Sequence, residues 1–143
     1  MHNSNTIEAL LTANTLLTRI AARSTGNPTS AAVWSTLSVL SREGAHRIGD
    51  LAKAARISQP GMTKVLQNLV VDEWVRRIAD VADSRAWLIA ITPKGEKALA
   101  DWRTELASAT EPVFRDLSAQ DWDVLERAAS ILEARVTAAA VAA

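Results

Sequence analysis

Six small or hydrogen-bonding residues, Gln59, Gly61, Thr63, Lys64, Gln67 and Asn68, fall on one side of a helical segment, opposite the apolar stripe Met62, Val65, Leu66, Leu69 and Val70. A carboxamide carries a donor and an acceptor that match the edge of adenine. A threonine methyl fits a thymine methyl, and a lysine reaches guanine or a phosphate. A merely solvated face has no need of so many amides. Ser58 stands just ahead of this segment, and its side-chain oxygen can accept from the unpaired N–H groups of a first helical turn. Pro60 is tolerated there because those groups lack an intrahelical partner anyway. A second candidate is the pair Asp83 and Arg85, in a polar stretch between two strand-like runs. A carboxylate two residues from a guanidinium can orient it toward a minor groove, where arginine reads width and negative potential. The same pair, as a surface ion pair, would only steady a hairpin by about 0–1 kcal/mol.

Other chemistries lack their residues. The chain has no cysteine, which excludes a disulfide framework, a thiolate metal site, a cysteine nucleophile and a cysteine redox sensor. Its two histidines, His2 and His46, come with no glycine-rich phosphate loop and no metal-spaced ligand cluster. Asp101 and Glu105 sit on solvated helix faces. No catalytic residue, metal or cofactor is expected.

These side chains are positioned by a chain of 143 residues, 48% apolar and 22% charged, enough for one globular domain with its own core. Apolar steps of three and four predict a first helix from about Asn5 to Arg23, broken by Gly26-Asn27-Pro28. A second helix fits Thr29 to Ser41, with Val33, Trp34, Leu37 and Leu40 inward. A short extended piece at His46 leads into a compact helix ending near Ile57, and the helix opened by Ser58 follows. After Trp74 the period becomes strand-like: Val75 to Ala79 and Arg85 to Thr92 form a hairpin. Thr92-Pro93 starts a long amphipathic helix through Leu99, Trp102 and Leu106, which Pro112 should kink or end. Ser118 and Asp121 resemble a capping box ahead of a terminal helix, and the tail Ala138 to Ala143 is expected to fray.

Helix, turn, helix and hairpin, in that order, form a DNA-reading arrangement whose second helix fits a major groove about 12 Å wide. Sixteen basic residues balance sixteen acidic ones overall. Residues 47–97 nevertheless hold nine bases against six acids, and the remaining sequence seven bases against ten acids, so a modestly basic middle is offset by an acidic remainder. No apolar run approaches the roughly 20 residues of a membrane span, and Met1-His2-Asn3-Ser4 lacks the features of a signal peptide. A cytoplasmic protein with no membrane partner is expected.

The run Leu51 to Gly95 resembles the winged-helix core of the MarR family of bacterial transcription regulators. Ser58, Thr63-Lys64 and Leu69 follow the family's recognition-helix pattern, and Val75 to Arg77 its approach to the wing. Asp83-Ser84-Arg85-Ala86 follows its Asp-x-Arg signature, and Ile91-Thr92-Pro93-Lys94-Gly95 its Leu-Thr-x-x-Gly exit. The resemblance implies a mainly α fold with a small β-hairpin wing, a winged helix-turn-helix core flanked by dimerisation helices. The DNA-binding lobe would be residues 29–95 of a single domain, 1–143, with dimerisation helices at 1–25 and 96–137. The implied DNA contacts are Ser58, Gln59, Gly61, Thr63, Lys64, Gln67, Asn68, Arg77, Asp83 and Arg85. A homodimer is implied too, bound to a pseudo-palindromic double-stranded operator with half-sites about 34–36 Å apart. A small aromatic or apolar effector would be held by Trp34 and Trp102, while Trp74, Trp87 and Trp122 read as packing. The function implied is that of a ligand-responsive repressor; a winged helix that binds protein, or architectural DNA binding without ligand control, is the alternative. One departure stands out. Glu73 occupies the position where the family places glycine at the end of the recognition helix, and a slightly altered turn is expected.

Overall fold

In the computed structural model, which describes residues 2–142, helix α1 (His2–Thr25) stops where Gly26 takes left-handed backbone (φ 61°) and Pro28 withholds an N–H. Helix α2 (Ala31–Glu43) begins two residues later than its spacing predicts and is closed by Gly44 at φ 85°, whose N–H bonds the Leu40 carbonyl. Strand β1 (His46–Arg47) leads directly into α3 (Ile48–Ala55). Helix α4 (Gln59–Val71) follows, then β2 (Val75–Ala79), β3 (Trp87–Ile91) and α5 (Pro93–Thr110). The hairpin is therefore part of a three-stranded antiparallel sheet ordered β1-β3-β2, with Arg77 opposite Ile89 and His46 pairing the same residue from the other side.

The core lies where α2, α3 and α4 meet the inner face of this sheet. Leu37, Leu40, Leu51, Met62, Leu66, Leu69, Ile89 and Leu99 are sealed from water. Each such side chain contributes about 1.5–3 kcal/mol by its burial, and together they fix the angle between α3 and α4. Thr36 is equally buried, and its hydroxyl is satisfied by the Ala32 carbonyl at 2.8 Å.

A second compact unit begins at Thr110. Pro112 ends α5, as its missing N–H predicts, and lies in a 3₁₀ turn (Glu111–Phe114) before α6 (Ala119–Ala142). The Ser118 hydroxyl accepts from the Asp121 amide at 3.1 Å and donates to the Asp121 carboxylate at 2.9 Å. Phe114 and Trp122 pack with ring centroids 6.0 Å apart. The fraying expected from Ala138 onward does not occur: α6 continues through Ala142, consistent with alanine being the strongest helix former. Ala143 lies outside the described residues. Among those residues no helix is long and apolar enough to cross a membrane.

Candidate nucleic-acid interface

Helix α4 starts as its sequence predicts. Ser58 is extended (φ −62°, ψ 151°) and its Oγ accepts from the Gly61 amide at 3.2 Å. The fit is close: a Cβ at Gly61 would come within 2.9 Å of that oxygen and 3.2 Å of Ile57 Cγ2. Gly61 thus keeps the cap in place. The stripe Met62, Leu66 and Leu69 is buried, which turns Gln59, Thr63, Lys64, Gln67 and Asn68 outward, all of them exposed. Gln59, Thr63 and Gln67 share one four-residue row, and Lys64 and Asn68 the adjoining one. The Thr63 hydroxyl donates to the Gln59 carbonyl at 3.1 Å, which leaves its methyl as the group free to meet a ligand. Gln59 Oε1 lies 3.9 Å from where a Cβ on Gly49 would stand, so this amide sits against the start of α3.

Both helices of the turn end alike. After α3, the Arg56 amide bonds the Lys53 carbonyl (3.1 Å) and the Ile57 amide the Ala52 carbonyl (2.9 Å), with Arg56 at φ 57°. After α4, the Glu73 amide bonds Val70 (3.1 Å) and the Trp74 amide bonds Leu69 (2.9 Å), with Glu73 at φ 60°. Each is a Schellman closure with a residue other than glycine in the left-handed position. The altered turn expected at Glu73 is therefore not found. Two backbone bonds, and a third from the Thr92 hydroxyl to the Glu73 carbonyl (2.6 Å), hold Glu73 in the strained conformation.

The wing carries Arg77 exposed on β2, where it borders a shallow groove with Gln67, Val71 and Arg76. The structure thus brings Gln67 and Arg77 to one surface. Asp83 and Arg85 lie beyond, in the loop between β2 and β3, both exposed. The carboxylate of Asp83 accepts the Arg85 amide at 3.0 Å, and its carbonyl accepts the Ala86 amide at 3.0 Å. Asp83 orients the backbone of Arg85 through an Asx turn, where the sequence suggested a grip on the guanidinium. The second strand consequently starts at Trp87, two residues later than predicted.

The base of this loop is pinned by a contact that no spacing reveals. Arg47 Nε donates to Asp80 Oδ2 at 2.8 Å and a terminal guanidinium nitrogen lies 2.6 Å from the same oxygen. The Ala82 amide bonds Asp80 Oδ1 at 2.9 Å. That amide and the Arg47 guanidinium hold the Asp80 carboxyl below its ordinary value of 3.8. Trp87, read as packing, is 56% exposed on the wing, and Val81 in the loop is fully exposed.

Trp34 and Trp102 stack at 4.8 Å and 12°, and Trp74 joins Trp34 on a centroid distance of 5.7 Å. The first pair lines a cleft of about 330 Å³ walled by α1, α2 and α5. Trp34 is buried, yet its Nε1 has no hydrogen-bond partner. Among the described residues no cluster of His, Cys, Asp and Glu could hold a metal.

Comparison with known proteins places these features. The MarR family model matches residues 30–87. An uncharacterised HTH-type transcriptional regulator of Mycobacterium bovis is 28% identical over 114 residues, 80% of each chain. A mutant MarR from Escherichia coli superposes with a TM-score of 0.70 at 18% identity, over 87% of this chain and 93% of its own. BpsR of Bordetella bronchiseptica, whose DNA binding is regulated by 6-hydroxynicotinic acid, superposes with a TM-score of 0.59 at 21% identity, over 88% and 91%.

Proposed function

We propose that this chain, whose residues 30–87 match the MarR family model, is a ligand-responsive repressor of that family that binds a pseudo-palindromic operator as a homodimer. The observation that carries this reading is the outward face of α4. Its core stripe is sealed, so Gln59, Thr63, Lys64, Gln67 and Asn68 face outward and are exposed, in position to enter a major groove. Ser58 and Gly61 fix the start of that helix. Arg77 meets the phosphate backbone, and Arg85, set by Asp83, reaches the minor groove.

The reading lobe spans 29–95, and the segments 1–25 and 96–137 join two copies. In α1 the apolar residues Ile7, Leu10, Leu11, Leu16 and Ile20 are exposed, and in α6 so are Trp122, Val124, Leu125, Ile131, Leu132 and Val136. Faces so apolar are covered in water by another chain, and a second copy is the simplest cover. Two lobes related by a two-fold axis require half-sites about one helical turn apart.

Ligand control follows from the cleft at Trp34 and Trp102. A molecule bound there shifts the lobes only by its different affinity for the two arrangements. The ligand control of BpsR supports this reading. A mobility shift with DNA from upstream of the protein's own coding sequence tests it: retention of a fragment containing an inverted repeat, over random DNA, is expected. Equal affinity for both would leave an architectural or protein-binding role instead.

A further inference from the structure

We propose that Trp87, on the wing, is a sequence-independent DNA contact whose indole lies against a deoxyribose and whose N–H donates to a phosphate oxygen. The inference rests on the DNA-binding reading and adds a residue to that interface. Cross-strand pairing places the side chain. Trp87 stands opposite Ala79, and Ile89 stands opposite Arg77. Residues two apart on a strand, and those directly opposite across a pair, share one face of a sheet. Trp87, Ala79 and Arg77 therefore lie on the face of Ile89 and Val75, which are buried in the core. Past those two residues the helices no longer cover that face, and Arg77, Ala79 and Trp87 are all exposed. The wing thus overhangs the helical layer on the side where Arg77 and Gln67 of α4 border one groove.

The chemistry of this overhang fits a sugar-phosphate backbone. Trp87 offers a broad apolar ring and one donor with no acceptor. Among the described residues no hydrogen bond from its indole and no ring contact occupies it. Arg77 is its diagonal neighbour across the strand pair, about 7–8 Å away by ladder geometry. With Asp80 neutralised by Arg47, the wing keeps Arg76, Arg77 and Arg85 against Asp83 alone. Apolar sugar beside anionic oxygen matches a ring flanked by an N–H and guanidinium groups. Sugar and phosphate are the same in every sequence, so this contact holds the wing in place and reads no base.

Acrylamide quenching of tryptophan fluorescence tests the contact directly, because the quencher is uncharged and is not repelled by DNA. The full chain and Trp87→Phe are compared alone and with a saturating random-sequence duplex at low salt. The difference between the two proteins isolates Trp87. That component is expected to be readily quenched in the free protein and shielded several-fold on DNA. Equal quenching in the complex overturns the proposal. So does shielding without DNA, which would mean that a second copy covers the ring. Trp87→Ala should weaken binding to random DNA and to an operator by the same factor, about 5- to 20-fold, and leave the salt slope unchanged because no charge is removed. A loss on one sequence only, or on neither, overturns the role; should this variant fail to fold, the quenching comparison stands by itself. A chain that binds no duplex removes both this contact and the regulator reading. A chain that shields Trp87 on random DNA and prefers no inverted repeat removes the operator reading and keeps the contact.

Discussion

The backbone of Gly95 lies against the carbonyl of Trp74, so closely that a Cβ on Gly95 would overlap that oxygen and crowd Ile91 Cγ1. The same carbonyl accepts the Thr92 amide at 3.0 Å, and the Thr92 hydroxyl accepts from the Gly95 amide at 3.0 Å while donating to the Glu73 carbonyl. The exit of α4 and the start of α5 are thus joined at one point, and the wing loops out between them. Gly95→Ala must push these backbones apart. Denaturant unfolding should show a loss of about 1–3 kcal/mol or more; an unchanged midpoint would mean that the junction yields without cost.

Glu73 is strained where Gly95 is crowded. A left-handed backbone costs a residue with a Cβ about 1–2 kcal/mol, offset in part by the freedom glycine loses on folding. Glu73→Gly should therefore stabilise the fold by about 0.5–1 kcal/mol, raising the denaturant midpoint at constant slope. The exposed pair Lys94 and Glu73, 3.7 Å apart, opposes this gain only weakly. A lowered midpoint would show that the pair outweighs the strain.

The Arg47 and Asp80 pair makes wing order depend on pH. The folded pKa of Asp80 is depressed by the Ala82 amide and by Arg47, so the stability it contributes is complete above the ordinary value of 3.8 and disappears as pH falls through the folded value. The melting temperature of the wild type should exceed that of Asp80→Asn by a constant amount between pH 5 and about 8, the upper end of the usual stability plateau. Below pH 4 the two should converge. A difference that persists undiminished in strong acid would contradict the assignment.

Phosphate contacts have their own signature. Lys64→Ala and Arg77→Ala should each weaken binding to every DNA sequence and reduce the slope of log affinity against log salt by about one. An unchanged slope in either variant would remove that side chain from the backbone contacts.

Much of this was legible in the sequence because it depends on neighbours. The apolar steps in Met62, Leu66 and Leu69 fix which face of α4 is outward, and Ser58 with Pro60 fixes where the helix begins. Thr92-Pro93 likewise marks the start of α5. What the sequence concealed is either distant or conformational. Arg47 and Asp80 are 33 residues apart, and the pairing of β1 and β2 on either side of β3 brings them together. Nothing in the residue types at Arg56 and Glu73 signals left-handed backbone; the bonds to Ala52, Lys53, Leu69 and Val70 impose it. The Asp83 carboxylate found the nearer amide of Arg85 because a short side chain closes a local ring more readily than it reaches a mobile guanidinium. Trp87 counted as core by its size, yet its place at the outer start of β3 leaves it in water.

The most direct measurement is selection of duplexes from a random pool by the purified full chain and by Gln67→Ala, followed by affinity measurement on the winning sequence and on random DNA. The wild type should enrich an inverted repeat with half-site centres about 10 base pairs apart. Gln67→Ala should lose about 1–3 kcal/mol on that sequence and almost nothing on random DNA. Failure to enrich any symmetric sequence, or equal losses on both DNAs, would contradict the account that the outward face of α4 reads bases.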